Sequence, residues 1–333
     1  MRFFNLDLHI SVIKDIEKIL HTIYGSAIEI TNWSISDHNW IFNQNKMDVR
    51  IINENTWDNI SEELVIEFNK IYDLSSYDGF IVTHTPVFSM IFEKYNKPIV
   101  CINSCRYDMP FCMVKNPNIE WFHAGLKRMI ARGQLIIVSN NLGDQEYLYR
   151  GTGLISQYIP SLCNYTGKYY TPKINKFVIF GEHGLYLGLK NVVRRPASGY
   201  TWDLLYSFKG IIHNPYEIST MSMAEQITAG VPLFFPTKRF YLECIQEGYM
   251  KLISNYNNTN VLSVEEWLDR CDFYNNYKYI YYYDSLEELG QKLAEFDKIE
   301  KEIQEDRKNW LIQRETDILQ KWKQIFDKFG ILQ

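Results

Sequence analysis

Glu217 and Glu225 are the residues here whose type and spacing best suit chemistry on a small ligand. They lie in KGIIHNPYEISTMSMAEQITAGVPLFFP, residues 209–236. Eight positions at a helical rise of about 1.5 Å would set them roughly 12 Å apart. Ser219 and Thr220 lie between them, where a helix should begin. A helix start offers free N–H groups and a positive dipole end, which suit a phosphate. Carboxylates on either side of a phosphate can accept from hydroxyls at both ends of a sugar-bearing nucleotide, and Tyr216 stands next to the first of them. Ser222 to Glu225 also reads as a capping box, in which Glu225 only turns back to the helix start.

The elements that must position this pair follow from the apolar pattern. Short runs at 210–213 and 232–235 flank a helical stretch that stops at Gly230, the rhythm of a parallel α/β unit. Upstream, the run Phe177–Phe180 ends at Gly181, where a phosphate can approach the backbone. Arg194 and Arg195 follow, and Lys238 and Arg239 open a later helix, either able to reach a diphosphate or to sit in solvent.

The N-terminal half repeats the rhythm. Arg2–Leu8 reads as a strand, with Ser11 as cap of a helix bearing Val12, Ile13, Ile16, Ile19 and Leu20. His9 then occupies the first strand-to-helix turn, at the strand edge where ligands bind in parallel sheets. A second strand is expected near Ala27–Ile30, followed by a loop packed around Trp33 and Trp40; Asp37 and His38 in it lack a second pair at metal-ligand spacing. Tyr77–Thr85 is a buried strand and turn before a helix opened by Pro86, so His84 stands where His9 stands, or caps that helix. Lys97–Asn103 is the next strand, and Arg106 beyond it suits an anionic acceptor unless Asp108 neutralises it. Gln134–Ser139 is expected to be the last strand of this half, with Asp144 as the following N-cap. Tyr277–Asp284 reads as a Tyr-rich strand, and 285–329 as helical.

Glu217, seven residues, Glu225 and then Ala229-Gly230-Val231-Pro232 resembles the motif of retaining glycosyltransferases with the GT-B fold. Residues 77–98, and the crossover from Tyr158-Ile159-Pro160 to Tyr170-Thr171-Pro172, are similar to segments of the same proteins. The resemblance implies two Rossmann-like α/β domains: 1–165 on the acceptor side, and 166–333 as the donor domain, its C-terminal helix returning to the first. The second domain is expected to be reduced, because Gly181 and Glu217 leave room for little more than one βα unit. In such proteins the first Glu meets the donor sugar, the second meets the ribose, and a His in the position of His84 contacts the sugar from the other domain. The implied activity is transfer of a sugar from a UDP- or GDP-type donor to a glycan or small-molecule acceptor, with retention. No cofactor is implied, and no DxD-like metal motif stands in a suitable loop. The chain departs from the family after Gly181, where many relatives carry Arg and then Lys; Glu182, His183 and later Lys190 stand here, leaving Arg194 or Arg195 to supply the charge. That departure also admits a non-catalytic GT-B-like glycan- or nucleotide-binding module, or a doubly wound protein that takes a free mononucleotide. The outline resembles glycosyltransferases of AT-rich genomes, including those of large DNA viruses.

Composition sets the bounds. The 333 residues allow two domains of roughly 150 each. At 46% hydrophobic and 15% aromatic residues there is material for two cores. A formal charge of −5 and pI near 5.9 give no basic footprint for nucleic acid. Charges interrupt Met1–Leu20, so neither a signal peptide nor a membrane span is expected there, and the expected setting is cytoplasmic. Six cysteines without a CxxC pair read as reduced thiols.

Overall fold

The computed structural model describes residues 1–113, 117–181, 184–186, 188–195, 200–251 and 261–330. The chain divides into two compact units. The first is Met1–Ser161 with Asn257–Leu262 and Ile318–Gln333; the second is Leu162–Tyr256 with Ser263–Asp317. Both are α/β with a parallel sheet, six-stranded in the first and five-stranded in the second.

In the first unit the strands are β1 (Arg2–Asp7), β2 (Glu29–Ser34), β3 (Gly79–Val82), β4 (Ile99–Asn103), β5 (Leu135–Ser139) and β6 (Gln157–Tyr158). Their order across the sheet is β2-β1-β3-β4-β5-β6. The chain therefore steps from β1 to one side and returns on the other, which makes the gap between β1 and β3 the point where strand order reverses. Phe3, Phe4 and Leu6 of β1 and Phe80, Ile81 and Val82 of β3 are all buried. Strands whose side chains are buried on both faces in this way are what a sheet covered on both sides requires. The covering helices are α1 (Ile10–Tyr24), α2 (Glu62–Ile71), α3 (Ser89–Phe92), α4 (Ile119–Ala131) and α5 (Leu142–Thr152).

Local chemistry changes several expected boundaries. Helix α1 starts two residues earlier than a cap at Ser11 would give: His9 is the N-cap residue, and its backbone N–H donates to Asp7 Oδ1 at 2.6 Å. Asn141, not Asp144, caps α5, its side chain accepting from the Asp144 N–H. The second strand begins at Glu29 and takes in Trp33, whose ring meets Phe4 and Tyr72 at 4.9 and 5.1 Å. Trp40, in contrast, is exposed. Short β6 follows β5, so Gln134–Ser139 is not the last strand of this half.

The second unit has β7 (Ile174–Phe180), β8 (Val192–Arg194), β9 (Phe208–His213), β10 (Leu233–Pro236) and β11 (Tyr281–Tyr283), ordered β11-β10-β9-β7-β8. Here the reversal falls between β7 and β9. Its helices are α6 (Trp202–Leu205), α7 (Met221–Thr228), α8 (Lys238–Gln246), α9 (Val264–Leu268), α10 (Asp272–Asn275), α11 (Leu286–Ala294) and α12 (Phe296–Asp327). The Tyr-rich stretch contributes only its last residues as strand, with Tyr283 fully buried. Phe296, opening α12, packs edge-on against Phe177 at 5.2 Å. The last turns of α12 belong to the first unit, where Phe326 meets Phe3 at 5.5 Å. No helix among the described residues is long and apolar enough to cross a membrane.

Candidate functional site

In an open parallel sheet, loops on either side of the reversal leave in opposite directions, so a crevice opens beyond the carboxyl ends of those two strands. Each unit carries sequence-singled residues at that place.

In the second unit β7 ends at Phe180-Gly181 and β9 ends at His213-Asn214. Gly181 has φ +108°, and a Cβ there would lie 2.8 Å from the Cβ of Asn214. The glycine is thus required by the approach of Asn214 at the neighbouring strand end. Arg194 ends β8 beside Ile179 of β7, exposed and with no hydrogen-bond or ion-pair partner among the described residues. Arg195 is engaged: its guanidinium lies over Phe180 and Tyr200, 4.5 and 4.8 Å from the ring centroids, and donates to the Tyr200 hydroxyl at 2.8 Å. The departure noted at Glu182 and His183 lies outside the described residues.

Beyond β9, Tyr216 is 66% exposed and Glu217 half-buried in the turn, with Glu217 Oε1 accepting from the Ile218 N–H at 2.8 Å. Ser219 precedes Thr220, the N-cap of α7, whose hydroxyl accepts from the Met223 N–H at 3.2 Å and lies 3.0 Å from Ser222 Oγ. The helix thus begins four residues after Glu217, and Glu225 sits in its interior, beyond the reach of a capping box. The Glu225 carboxylate is 9% exposed. It accepts from the Tyr165 hydroxyl at Oε1 and from Trp202 Nε1 at Oε2, the latter at 3.0 Å. Burial pushes its pKa up, and the two hydrogen bonds pull it partly back. The carboxylate expected at a ribose is therefore turned inward, bracing α7 against the segment before β7 and against α6.

Sequence reasoning passed over His213. It is buried at the end of β9, stacked on Phe235 at 4.6 Å, with Nε2 2.7 Å from Gln226 Oε1 on α7. Burial lowers its pKa to about 4, partly offset by Gln226, so the ring is neutral at physiological pH. A histidine closing an apolar strand was the available signal. Lys238 pairs with Asp269 at 2.6 Å, and Arg239 with Asp284 and Glu243, so both cations are already committed.

In the first unit β1 ends at Asp7, two residues before His9, and β3 ends at Val82, two before His84. The reversal brings these histidines together, ring centroids 6.1 Å apart, with Trp57 edge-on to His84 at 5.3 Å. Burial lowers the His9 pKa to about 4, with His38 adding to the effect. Burial and then His9 lower that of His84 to about 3. Thr85, not His84, is the residue that leads into the Pro86 turn, and His84 Nδ1 is buried without a partner among the described residues. Asp7, not anticipated, lies beneath: it is fully buried, and burial raises its carboxyl to about 6 against the pull of hydrogen bonds from Ser34, His9 and Thr83. A lone carboxylate in an otherwise apolar strand must find donors, and FFNLDL contained that hint.

Arg106 is not displayed to an acceptor. It is 4% exposed and paired with Asp144 on α5, while Asp108 accepts from the Tyr147 hydroxyl at 3.0 Å.

No family model matches this sequence, and no curated protein matches it. Among solved structures, the chain is similar to the glycotransferase of kitacinnamycin at 8% identity and TM-score 0.48, covering 98% of both chains. It is also similar to Phytolacca americana UGT2 complexed with UDP-2fluoro-glucose and pterostilbene, at 10% identity and TM-score 0.40, covering 96% of this chain and 94% of that one. A putative UDP-N-acetylglucosamine 2-epimerase from Listeria monocytogenes aligns at 10% identity and TM-score 0.37, over 81% and 89%. At such identities and scores, nothing about this chain's chemistry follows from them.

Proposed function

We propose that the protein transfers a sugar from a UDP- or GDP-type donor to a hydroxyl of a glycan or small-molecule acceptor, with retention at the sugar carbon as the Glu217–Glu225 resemblance implies. The observation that carries this reading is that Arg194, the Glu217 turn and the N-terminus of α7 all lie at or beyond the carboxyl ends of the neighbouring strands β8, β7 and β9, about the β7/β9 reversal. A diphosphate leaving group gains negative charge as its bond to the sugar breaks. Amide dipoles in the first turn of α7, the hydroxyls of Ser219 and Thr220, and Arg194 are the groups suited to take that charge in a preorganised way. No metal is called on. Glu217 would accept from sugar hydroxyls. His9 and His84, neutral above pH ~5 by their lowered pKa values, can each accept a hydrogen from a hydroxyl. Six free cysteines suit a reducing compartment such as the cytoplasm.

The inward engagement of Glu225 favours one second reading, a GT-B-like module that binds a nucleotide or glycan without turnover. Thermal shift with UDP, GDP and their sugars tests both readings, since a ligand at 100 times its Kd adds about 2.7 kcal/mol. Release of nucleoside diphosphate from the donor then separates them: an enzyme produces it slowly without acceptor, a binding module does not. His84→Ala is expected to lower turnover at least tenfold (~1.4 kcal/mol) with donor affinity kept. The anomeric coupling of the product reads retention. A panel in which no nucleotide shifts melting would end the proposal.

A further inference from the structure

The fully buried Asp7 touches three different segments at the first unit's strand reversal. Its Oδ1 accepts from the His9 backbone N–H at 2.6 Å and from the Thr83 hydroxyl at 3.4 Å; its Oδ2 accepts from the Ser34 hydroxyl at 2.9 Å. Ser34 has one hydrogen to give, and Asn39 Oδ1 stands 2.7 Å from the same oxygen while Asn39 Nδ2 has no partner among the described residues. With the Asn39 amide reversed, its nitrogen donates to Ser34, which leaves the one Ser34 hydrogen for Asp7. The carboxylate thus closes a chain of donors drawn from the ends of β1, β2 and β3.

We propose that Asp7 is a positioning residue for the His9–His84 pair: by clamping the three strand ends, its carboxylate fixes the turn that carries His9 against the one that carries His84. This deepens, and rests on, the reading of that site as part of a glycosyl-transfer centre. The two tethers act on the two histidines separately. One is the N–H of His9 itself, so the cap that starts α1 and the direction in which the imidazole leaves the backbone are set together. The other is Thr83, the residue before His84. Asn5, two residues back on β1, adds a parallel link from its Nδ2 to the Ile81 carbonyl at 2.7 Å. The β1–β3 pairing runs Phe3–Gly79, Phe4–Phe80 and Asn5–Ile81 and ends there, so beyond that register the turns depend on side chains for their alignment. Burying a carboxylate costs free energy that an apolar residue would not incur. A carboxylate is nonetheless the one side chain that accepts from three donors with no donor of its own.

The test is Asp7→Asn in the full chain, read first by the histidine ring signals in carbon–proton NMR over a pH titration. Asparagine matches the size but offers an N–H₂ where donors already point. The expected result is that the His9 and His84 signals move and their titrations rise toward the ordinary value near 6.5 as the turns loosen and water reaches the rings. His213, in the other unit, should stay as it was. With UDP-glucose or GDP-mannose as probe, whichever is turned over, kcat should fall tenfold or more with KM unchanged. Thr83→Val and Ser34→Ala each remove one donor and should move the same ring signals to a smaller extent, which keeps the test decisive if Asp7→Asn does not fold. Unmoved His9 and His84 signals in Thr83→Val and Ser34→Ala, or in a folded Asp7→Asn, would overturn the proposal while leaving glycosyl transfer standing. Moved ring signals in a protein that turns over no donor would uphold the clamp and count against the transferase reading instead.

Discussion

Replacing Glu225 by Gln and by Ala distinguishes an internal brace from a ribose ligand. In the folded protein Glu225 accepts from the Tyr165 hydroxyl and from Trp202 Nε1. Gln can reproduce both contacts: its oxygen accepts from the indole, which only donates, and its N–H₂ donates to the phenolic oxygen, which can accept. What is lost is charge assistance, worth about 1 kcal/mol per bond, and what is gained is relief from burying a charge. Glu225→Gln is therefore expected to stay within about 1 kcal/mol of the parent, a melting shift of about 2–4 °C. Ala leaves the indole N–H and the hydroxyl to find water, at about 1–3 kcal/mol each when buried. Both rings are half-buried, so about 2–3 kcal/mol in total is expected, roughly 4–12 °C. The pH dependence carries a sign. Because burial raises the folded pKa above the ordinary 4.5, the group's contribution to stability is greatest below that value and declines as pH rises through the folded pKa. Denaturant titration of parent and Glu225→Gln between pH 4 and 8, with calorimetric titration of UDP and GDP at pH 7.5, reads both effects. Gln should flatten the decline and leave nucleotide affinity intact. If Gln weakened nucleotide binding tenfold or more with an unchanged melting profile, Glu225 would be a ligand contact and the brace would be wrong.

Arg194→Ala should weaken nucleoside diphosphate binding about tenfold, ~1.4 kcal/mol, measured by calorimetry at two salt concentrations, because its exposed cation has no ion-pair partner among the described residues to release. Arg195→Ala should instead show as a loss of melting temperature, since its guanidinium packs on the rings of both Phe180 and Tyr200; the reverse pattern would exchange their roles. Gly181→Ala should destabilise the protein by about 1–3 kcal/mol through the positive φ and the contact with Asn214. A melting temperature equal to that of the parent would show that the strand end can relax.

Much of the architecture follows from local pattern. Continuous apolar runs such as Phe177–Phe180 specify buried parallel strands, and glycine, proline and Ser/Thr specify where each turns into a helix. For the same reason His9 and His84 could be read as strand-end residues: their place depends only on where an apolar run stops. Their meeting could not be read, because a crossover can carry the next strand to either side, and only the order β2-β1-β3 makes them neighbours. Capping was legible in kind but not in position at α5, where Asn141 rather than Asp144 accepts from the first-turn amides, since adjacent polar residues compete for them and packing of the helix chooses; α1 starts at His9 with no side-chain cap. The roles of buried charges were least legible. Glu225 finds Tyr165 and Trp202 sixty and twenty-three residues back, Arg106 finds Asp144 thirty-eight ahead, and Asp7 finds Thr83 seventy-six ahead. A periodic pattern reports which side of an element is buried; what lies against that side is decided by packing of elements distant in the chain, and for a carboxylate in the interior that neighbour determines whether it braces the fold or meets a ligand.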